Sequence, residues 1–194
     1  MQFRCVPEWG RTTNLWIRNP MLYPLSYGDT MRILVDIEVV IKHFRTIIYL
    51  MISKEKPEGF APKFEVAACF IEYEGKILFL KRHPEKDYGG FWNLPAGKSD
   101  EEEDPLSTAI REAFEETGIA LEPEQVSRIE SYYDVYPEYM YMFHTYRANV
   151  NSEEVTIKED EATEYGWFTP EEALMLDLVP DEEFCIADFL ASKN

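Results

Sequence analysis

Cysteine is scarce in this chain of 194 residues, and Cys5, Cys69 and Cys185 stand far apart. Three thiols so spaced exclude a disulfide framework. With only three histidines and no CxxC pair, a thiolate or imidazole metal centre is excluded as well. Positive charge is also short: 19 basic residues against 37 acidic ones leave a net charge of -18. That field repels phosphodiester backbones and anionic lipid surfaces, so neither nucleic acid nor membrane is expected as a partner. Long apolar runs are missing too. Residues 33–52 come nearest, but Asp36, Glu38, Lys42 and Arg45 interrupt them. A membrane span needs about 20 predominantly apolar residues. The first residues carry no apolar core of the signal-peptide kind. A soluble, cytoplasmic chain is expected.

What is present suits one domain with an appendage. A hydrophobic content of 45% can bury a sizeable core. The pattern changes near Ala61-Pro62, dividing the chain into an N-terminal extension, residues 1–60, of no assigned role, and a domain, residues 61–194. The first 50 residues lack patterning and are expected to be dispensable for catalysis. The alternative is that residues 31–52 form an added strand or helix covering a sheet edge or a homodimer surface. Lys54-Glu55-Lys56-Pro57-Glu58-Gly59 resembles a linker.

Beyond the break, residues 64–73 and 76–82 are rich in β-formers and flank Glu74-Gly75, a hairpin signal. A loop is expected over residues 84–98, a helix over 104–117 with Gly118 as its stop, and strands over 128–135, 138–150 and 165–168. Thr169-Pro170 followed by two glutamates starts a further helix, and a last one is expected over 181–191. No repeat or low-complexity tract occurs. This order of elements predicts an α/β sandwich with a mixed sheet.

The helix over 104–117 carries the chemistry. Asp104 is placed to cap it and Pro105 fits its first position. Leu106, Ala109, Ile110, Ala113 and Phe114 recur at helical spacing as one apolar stripe. Glu112, Glu115 and Glu116 fall together on another face. Three carboxylates so close repel one another unless a cation sits among them, and hard oxygen donors suit Mg²⁺ or Mn²⁺. Arg111, one turn from Glu115, can orient it. A glutamate-rich helix face alone is more often solvated surface; the preceding loop changes that.

From Gly97 the chain reads Gly-Lys-Ser-Asp-Glu-Glu-Glu103, then seven residues, then Arg111-Glu112-Ala113-Phe114-Glu115-Glu116-Thr117-Gly118-Ile119. This resembles the Nudix box with every position filled, a match that residue usage makes rarer than roughly one in a hundred thousand by chance. Phe91-Trp92-Asn93-Leu94-Pro95-Ala96 resembles the usual lead-in, with Ala96 where the family mostly has glycine. The stretch from Glu161 to Leu174 resembles the segment before the penultimate helix. The likeness runs from about Phe64 to the C-terminus.

The resemblance implies a Nudix-type α/β/α sandwich and Mg²⁺-dependent hydrolysis of a diphosphate linkage in a nucleotide-like small molecule, by water attack at phosphorus. It implies metal ligands at Glu115 and Glu116, at Glu112 unless that residue is the general base, and at the Ala96 carbonyl, provided its backbone avoids positive φ. Glu103 and Arg111 are implied to orient the helix carboxylates. Glu161 is the candidate for a further base or ligand, against plain surface charge. Arg82 is the candidate for phosphate contact, and Trp92 with the aromatic strand for base stacking, against core packing.

A nucleoside triphosphate is the leading substrate, with ADP-ribose or a dinucleoside polyphosphate as alternatives; Tyr136 stands near a tyrosine frequent in the hydrolases of the latter. A non-catalytic nucleotide sensor is the rival class. Finally, Val179-Pro180-Asp181-Glu182 resembles the Trp-Pro-Asp-Asp segment with which the oxidised-purine triphosphatases of the family read a purine edge. Against that, Asp181 after a proline is a natural helix cap and Glu182 suits a first turn.

Overall fold

The computed structural model describes residues 52–193. The expectations for the first 50 residues therefore lie outside the described region. Eight strands form one mixed sheet: β1 (Ile52–Ser53), β2 (Phe64–Tyr73), β3 (Lys76–Arg82), β4 (Trp92–Asn93), β5 (Ala96–Lys98), β6 (Val126–Val135), β7 (Met140–Asn149) and β8 (Ala162–Phe168). Their order is β1-β6-β7-β2-β3-β4, with β5 paired to β2 and β8 to β3. The long β2–β7 pairing is parallel and the other strand pairings are antiparallel. Among the described residues three α-helices complete it, α1 (Pro105–Thr117), the short α2 (Pro170–Ala173) and α3 (Glu182–Ala191).

The alternation of side chains along the central strands builds a core on each face. Ala68 and Phe70 of β2, with Ile77 and Phe79 of β3, pack towards Ile186 and Phe189 of α3. The rings of Phe70 and Phe189 stack at 4.6 Å. The intervening Ala67, Cys69, Ile71 and Leu78 pack towards Ala109 and Ala113 of α1. Helices thus cover both faces, the α/β/α sandwich expected. None of the described helices is long and apolar enough to cross a membrane.

Helix α1 begins and ends as its sequence dictates. Asp104 accepts hydrogen bonds from the amides of Leu106 and Ser107, both at 3.1 Å, and Pro105 occupies the first turn. At the other end Gly118 adopts φ 71°, and its N–H bonds the Phe114 carbonyl. Thr169 and Glu172 close a reciprocal capping box on α2.

Four expectations need correction. Phe114 is 57% exposed, because the two alanines of the stripe let α1 approach the sheet closely and leave the phenylalanine at the stripe's outer edge. The loop over 84–98 holds β4 and β5, strands too short to show a period. The segment resembling a linker is strapped to the sheet: β1 pairs with β6, Lys54 bonds Asp188 at 2.6 Å, and buried Phe60 packs edge-on against Tyr133. Packed structure therefore already includes Ile52, ahead of the break in pattern. Asp181 stands at the cap position of α3 but with φ 75° and no capping hydrogen bond from its side chain.

Candidate active site

The site lies where α1 meets β5. The stripe of α1 faces the sheet, and at about 100° per residue Glu116 falls nearest that stripe, Glu112 next and Glu115 furthest out. Burial follows: Glu116 is 8% exposed, whereas the Glu115 side chain is 44% exposed. The Ala96 N–H donates to Oε2 of Glu116 at 3.1 Å, tying the helix to β5. Burial, reinforced by the negative charges of Glu112 and Glu161, pushes the Glu116 carboxyl up to about 8, although Arg82 opposes the shift. Burial likewise raises Glu112.

Gly97 explains how Glu112 fits. A Cβ added there would stand 2.0 Å from Oε1 of Glu112, so the carboxylate occupies the space that any other residue would fill. Arg111 fixes the arrangement. Its Nε and Nη2 each donate to Glu103 at 2.9 Å, its Nη1 to Oε1 of Glu112 at 2.7 Å, and its Nη2 also to the Lys98 carbonyl. The guanidinium holds the Glu103 carboxyl down at about 2. Glu115, the partner expected for Arg111, lies 3.6 Å away, beyond hydrogen-bond range. The fork geometry favours Glu103, which reaches back from the loop in line with it.

Ala96 has no positive φ, so alanine stands there without backbone strain. Glu161 is held by Lys86 at 2.8 Å and Lys158 at 3.7 Å, yet its charge is felt at Glu116. Among the described residues no three carboxylates are already gathered to hold a metal ion. In donor chemistry the set nevertheless fits a hard dication. Glu112, Glu115, Glu116, Glu161 and the Ala96 carbonyl supply oxygens alone, and the charges of Glu112 and Glu161 both reach Glu116.

From Ala96 a cleft of about 450 Å³ runs along the sheet. Phe64, Tyr136, Tyr139 and Tyr141 form one wall, with Phe64 and Tyr141 stacked at 5.2 Å and Tyr136 and Tyr139 at 5.3 Å. Arg82, Lys63 and Lys98 also line it. Arg82 is steadied by a 2.6 Å bond from its Nε to the Asp87 carbonyl. Asp134, Asp181 and Glu182 line the cleft as well. Tyr136 donates to Asp181 at 3.2 Å, and the Leu94 N–H to Oε1 of Glu182 at 3.2 Å. Trp92 lies apart from this lining; its ring packs edge-on against Phe168 at 5.3 Å in the core beneath α3.

Sequence reasoning missed Asp134, Asn93, Lys63 and Lys98 in the lining. Asp134 carried a usable signal. Tyr132 and Asp134 share one face of β6, so an acid stands where the period demands an inward side chain.

Known proteins resemble this chain over the same region. The NUDIX domain family matches residues 62–189. The CTP pyrophosphohydrolase of Escherichia coli K12 is 31% identical over 130 residues, covering 66% of this chain and 93% of that protein. The ADP-ribose pyrophosphatase of Bacillus subtilis 168 is 32% identical over 132 residues, 63% of this chain and 70% of that one. The solution structure of the E. coli ORF135 protein superimposes with a TM-score of 0.59 at 27% identity, covering 71% of this chain and 96% of that chain.

Proposed function

Because this chain belongs to the Nudix hydrolase family, we propose that it hydrolyses the diphosphate linkage of a nucleoside triphosphate in a Mg²⁺-dependent reaction. One observation carries the reading: an aromatic-walled cleft large enough for a nucleoside opens at Ala96, beside the carboxylates of α1. The base lies against the tyrosine wall, and the phosphates extend past Arg82, Lys63 and Lys98 towards α1. Glu115, Glu116, Glu112 and the Ala96 carbonyl would hold the cation. Mg²⁺ bound there supplies charge neutralisation on the diphosphate oxygens and a lowered pKa for the attacking water.

The chain's own residues do the rest. Arg111 and Glu103 hold Glu112 in place against Gly97, so the carboxylate meets the substrate already oriented. The Ala96 N–H anchors Oε2 of Glu116. Glu161, within electrostatic reach of Glu116, is proposed as a further ligand or base. The similarity to an ADP-ribose pyrophosphatase supports ADP-ribose as the second candidate substrate.

The test is a panel of nucleoside triphosphates, ADP-ribose and dinucleoside polyphosphates with Mg²⁺, scored for phosphate, pyrophosphate and nucleotide products. Turnover of triphosphates to monophosphate and pyrophosphate is expected. Binding without turnover of any member would refute the reading in favour of a sensor.

A further inference from the structure

We infer that Thr108 is a positioning residue for the cation-binding carboxylates, acting through Glu103 and Arg111 with Ser99 behind it; this rests on the metal reading of α1. Thr108 stands three residues before Arg111, so the two side chains rise from one face of the helix. It is fully buried. Its hydroxyl lies 2.9 Å from Oε2 of Glu103, 2.8 Å from Oγ of Ser99 and 3.2 Å from the Asp104 carbonyl. A hydroxyl carries one proton, and these three acceptors compete for it. The Asp104 carbonyl already accepts the Thr108 N–H at 3.0 Å. The carboxylate is the strongest acceptor of the three, because an ionised partner makes a bond roughly twice as strong, so it takes the proton. Ser99 then donates to Thr108, and the bonds run in one direction, from Ser99 to Thr108 to Glu103.

That direction decides how firmly Glu103 is held. Its Oε2 gathers Nη2 of Arg111 at 2.9 Å, the Asp100 N–H at 3.0 Å and the Thr108 hydroxyl, while Oε1 takes Nε of Arg111. Arg111 and Glu103 by themselves make a flat fork on two long side chains, free to swing as a unit. Thr108 is short and stiff at its branched Cβ, so its hydroxyl pins Oε2 to the body of α1. Ser99 adds the sheet, since it follows β5 and its N–H bonds the Glu65 carbonyl of β2 at 3.0 Å. One carboxylate oxygen is thereby tied to helix and sheet together. Arg111 passes that position on to Oε1 of Glu112 at 2.7 Å.

The test is Mn²⁺ binding by the full chain, read from the paramagnetic resonance signal of the free ion, in two pairs that differ by the hydroxyl. One pair is the wild type against Thr108→Val, the other Thr108→Ser against Thr108→Ala. The hydroxyl-bearing member of each pair is expected to bind Mn²⁺ about tenfold more tightly, the lower end of what the hydrogen-bond partners of metal ligands contribute, because two side chains intervene. In Mg²⁺, kcat on the best triphosphate should follow the hydroxyl in the same way, with KM changed by less than about twofold. Melting temperatures of the same four proteins separate positioning from packing, since Thr108→Ser loses a buried methyl yet keeps the hydroxyl. Equal Mn²⁺ affinity within either pair, affinity that tracks melting temperature instead of the hydroxyl, or no binding by any of the four overturns the inference. Should Thr108→Val fail to fold, the pair of Thr108→Ser and Thr108→Ala still decides. Failure of the wild type to turn over any triphosphate, with the Mn²⁺ pattern intact, would refute the hydrolase reading alone.

Discussion

Replacing Gly97 with alanine tests how the site holds Glu112. The added Cβ would lie 2.0 Å from Oε1 and 2.1 Å from Cδ of Glu112, against ordinary contact of 3.4 Å or more. The carboxylate must therefore retreat by more than about 1 Å, and the 2.7 Å bond from Arg111 breaks or moves with it. The backbone adds nothing to the cost, since Gly97 pairs with Ala67 in β5 and has no positive φ. Crowding a packed position costs about 1–3 kcal/mol, and here the colliding atoms are a side-chain tip, so the lower end applies. Catalysis suffers more, because about 1 Å of misplacement of a positioned group costs about a hundredfold. The assay is kcat/KM on the best triphosphate in Mg²⁺, beside a thermal melt. In a Glu112→Ala background the Cβ has nothing to displace, so Gly97→Ala should add little further loss. Near-wild-type kcat/KM in the single variant, or equal losses in both backgrounds, would refute the reasoning.

Two further outcomes follow from the fold. Asp104→Ala removes the cap of α1 and should cost about 1 kcal/mol, lowering Tm by about 2–4 °C with kcat unchanged, as a melt and an activity assay would show. Asp134, facing Asp181, Tyr136, Tyr141 and Cys185, has a folded-state pKa raised from 3.8 to about 8, so the native state holds the extra proton. The stability it contributes is full below about pH 4 and is lost as the pH climbs through about 8. Asp134→Asn should therefore gain Tm over the wild type as pH rises from 5 to about 9; a constant difference across that range contradicts the assignment.

The parts legible in the sequence were those written locally. The cap at Asp104, the stop at Gly118 and the box from Gly97 to Ile119 depend on neighbours within a few residues, and α1 forms where they place it. The Thr169 box likewise marked the start of α2. Long-range consequences were not legible. β5 is three residues long and exists because β2 offers Val66, Ala67 and Ala68 as partners. Arg111 lies within helical reach of Glu115, yet a loop residue eight positions earlier captures it. Asp181 follows a proline as a cap would, but Tyr136 of the β6–β7 turn takes its carboxyl instead. Contacts of that kind are set by which strands pair, and the sheet order is not written in any one segment.

The central claim is that the carboxylates of α1 hold the cation that drives hydrolysis, and Glu116→Gln tests it most directly. The substitution keeps the shape of the side chain and an oxygen able to accept the Ala96 N–H, while removing the charge directed at the metal. The measurement is kcat in saturating Mg²⁺ on the best substrate of the panel, with the melting temperature taken on the same sample. The account predicts a fall of at least about a hundredfold in kcat with Tm unchanged or raised, since burial disfavours the charge removed. A variant that melts like the wild type and turns over at a near-wild-type rate would contradict it.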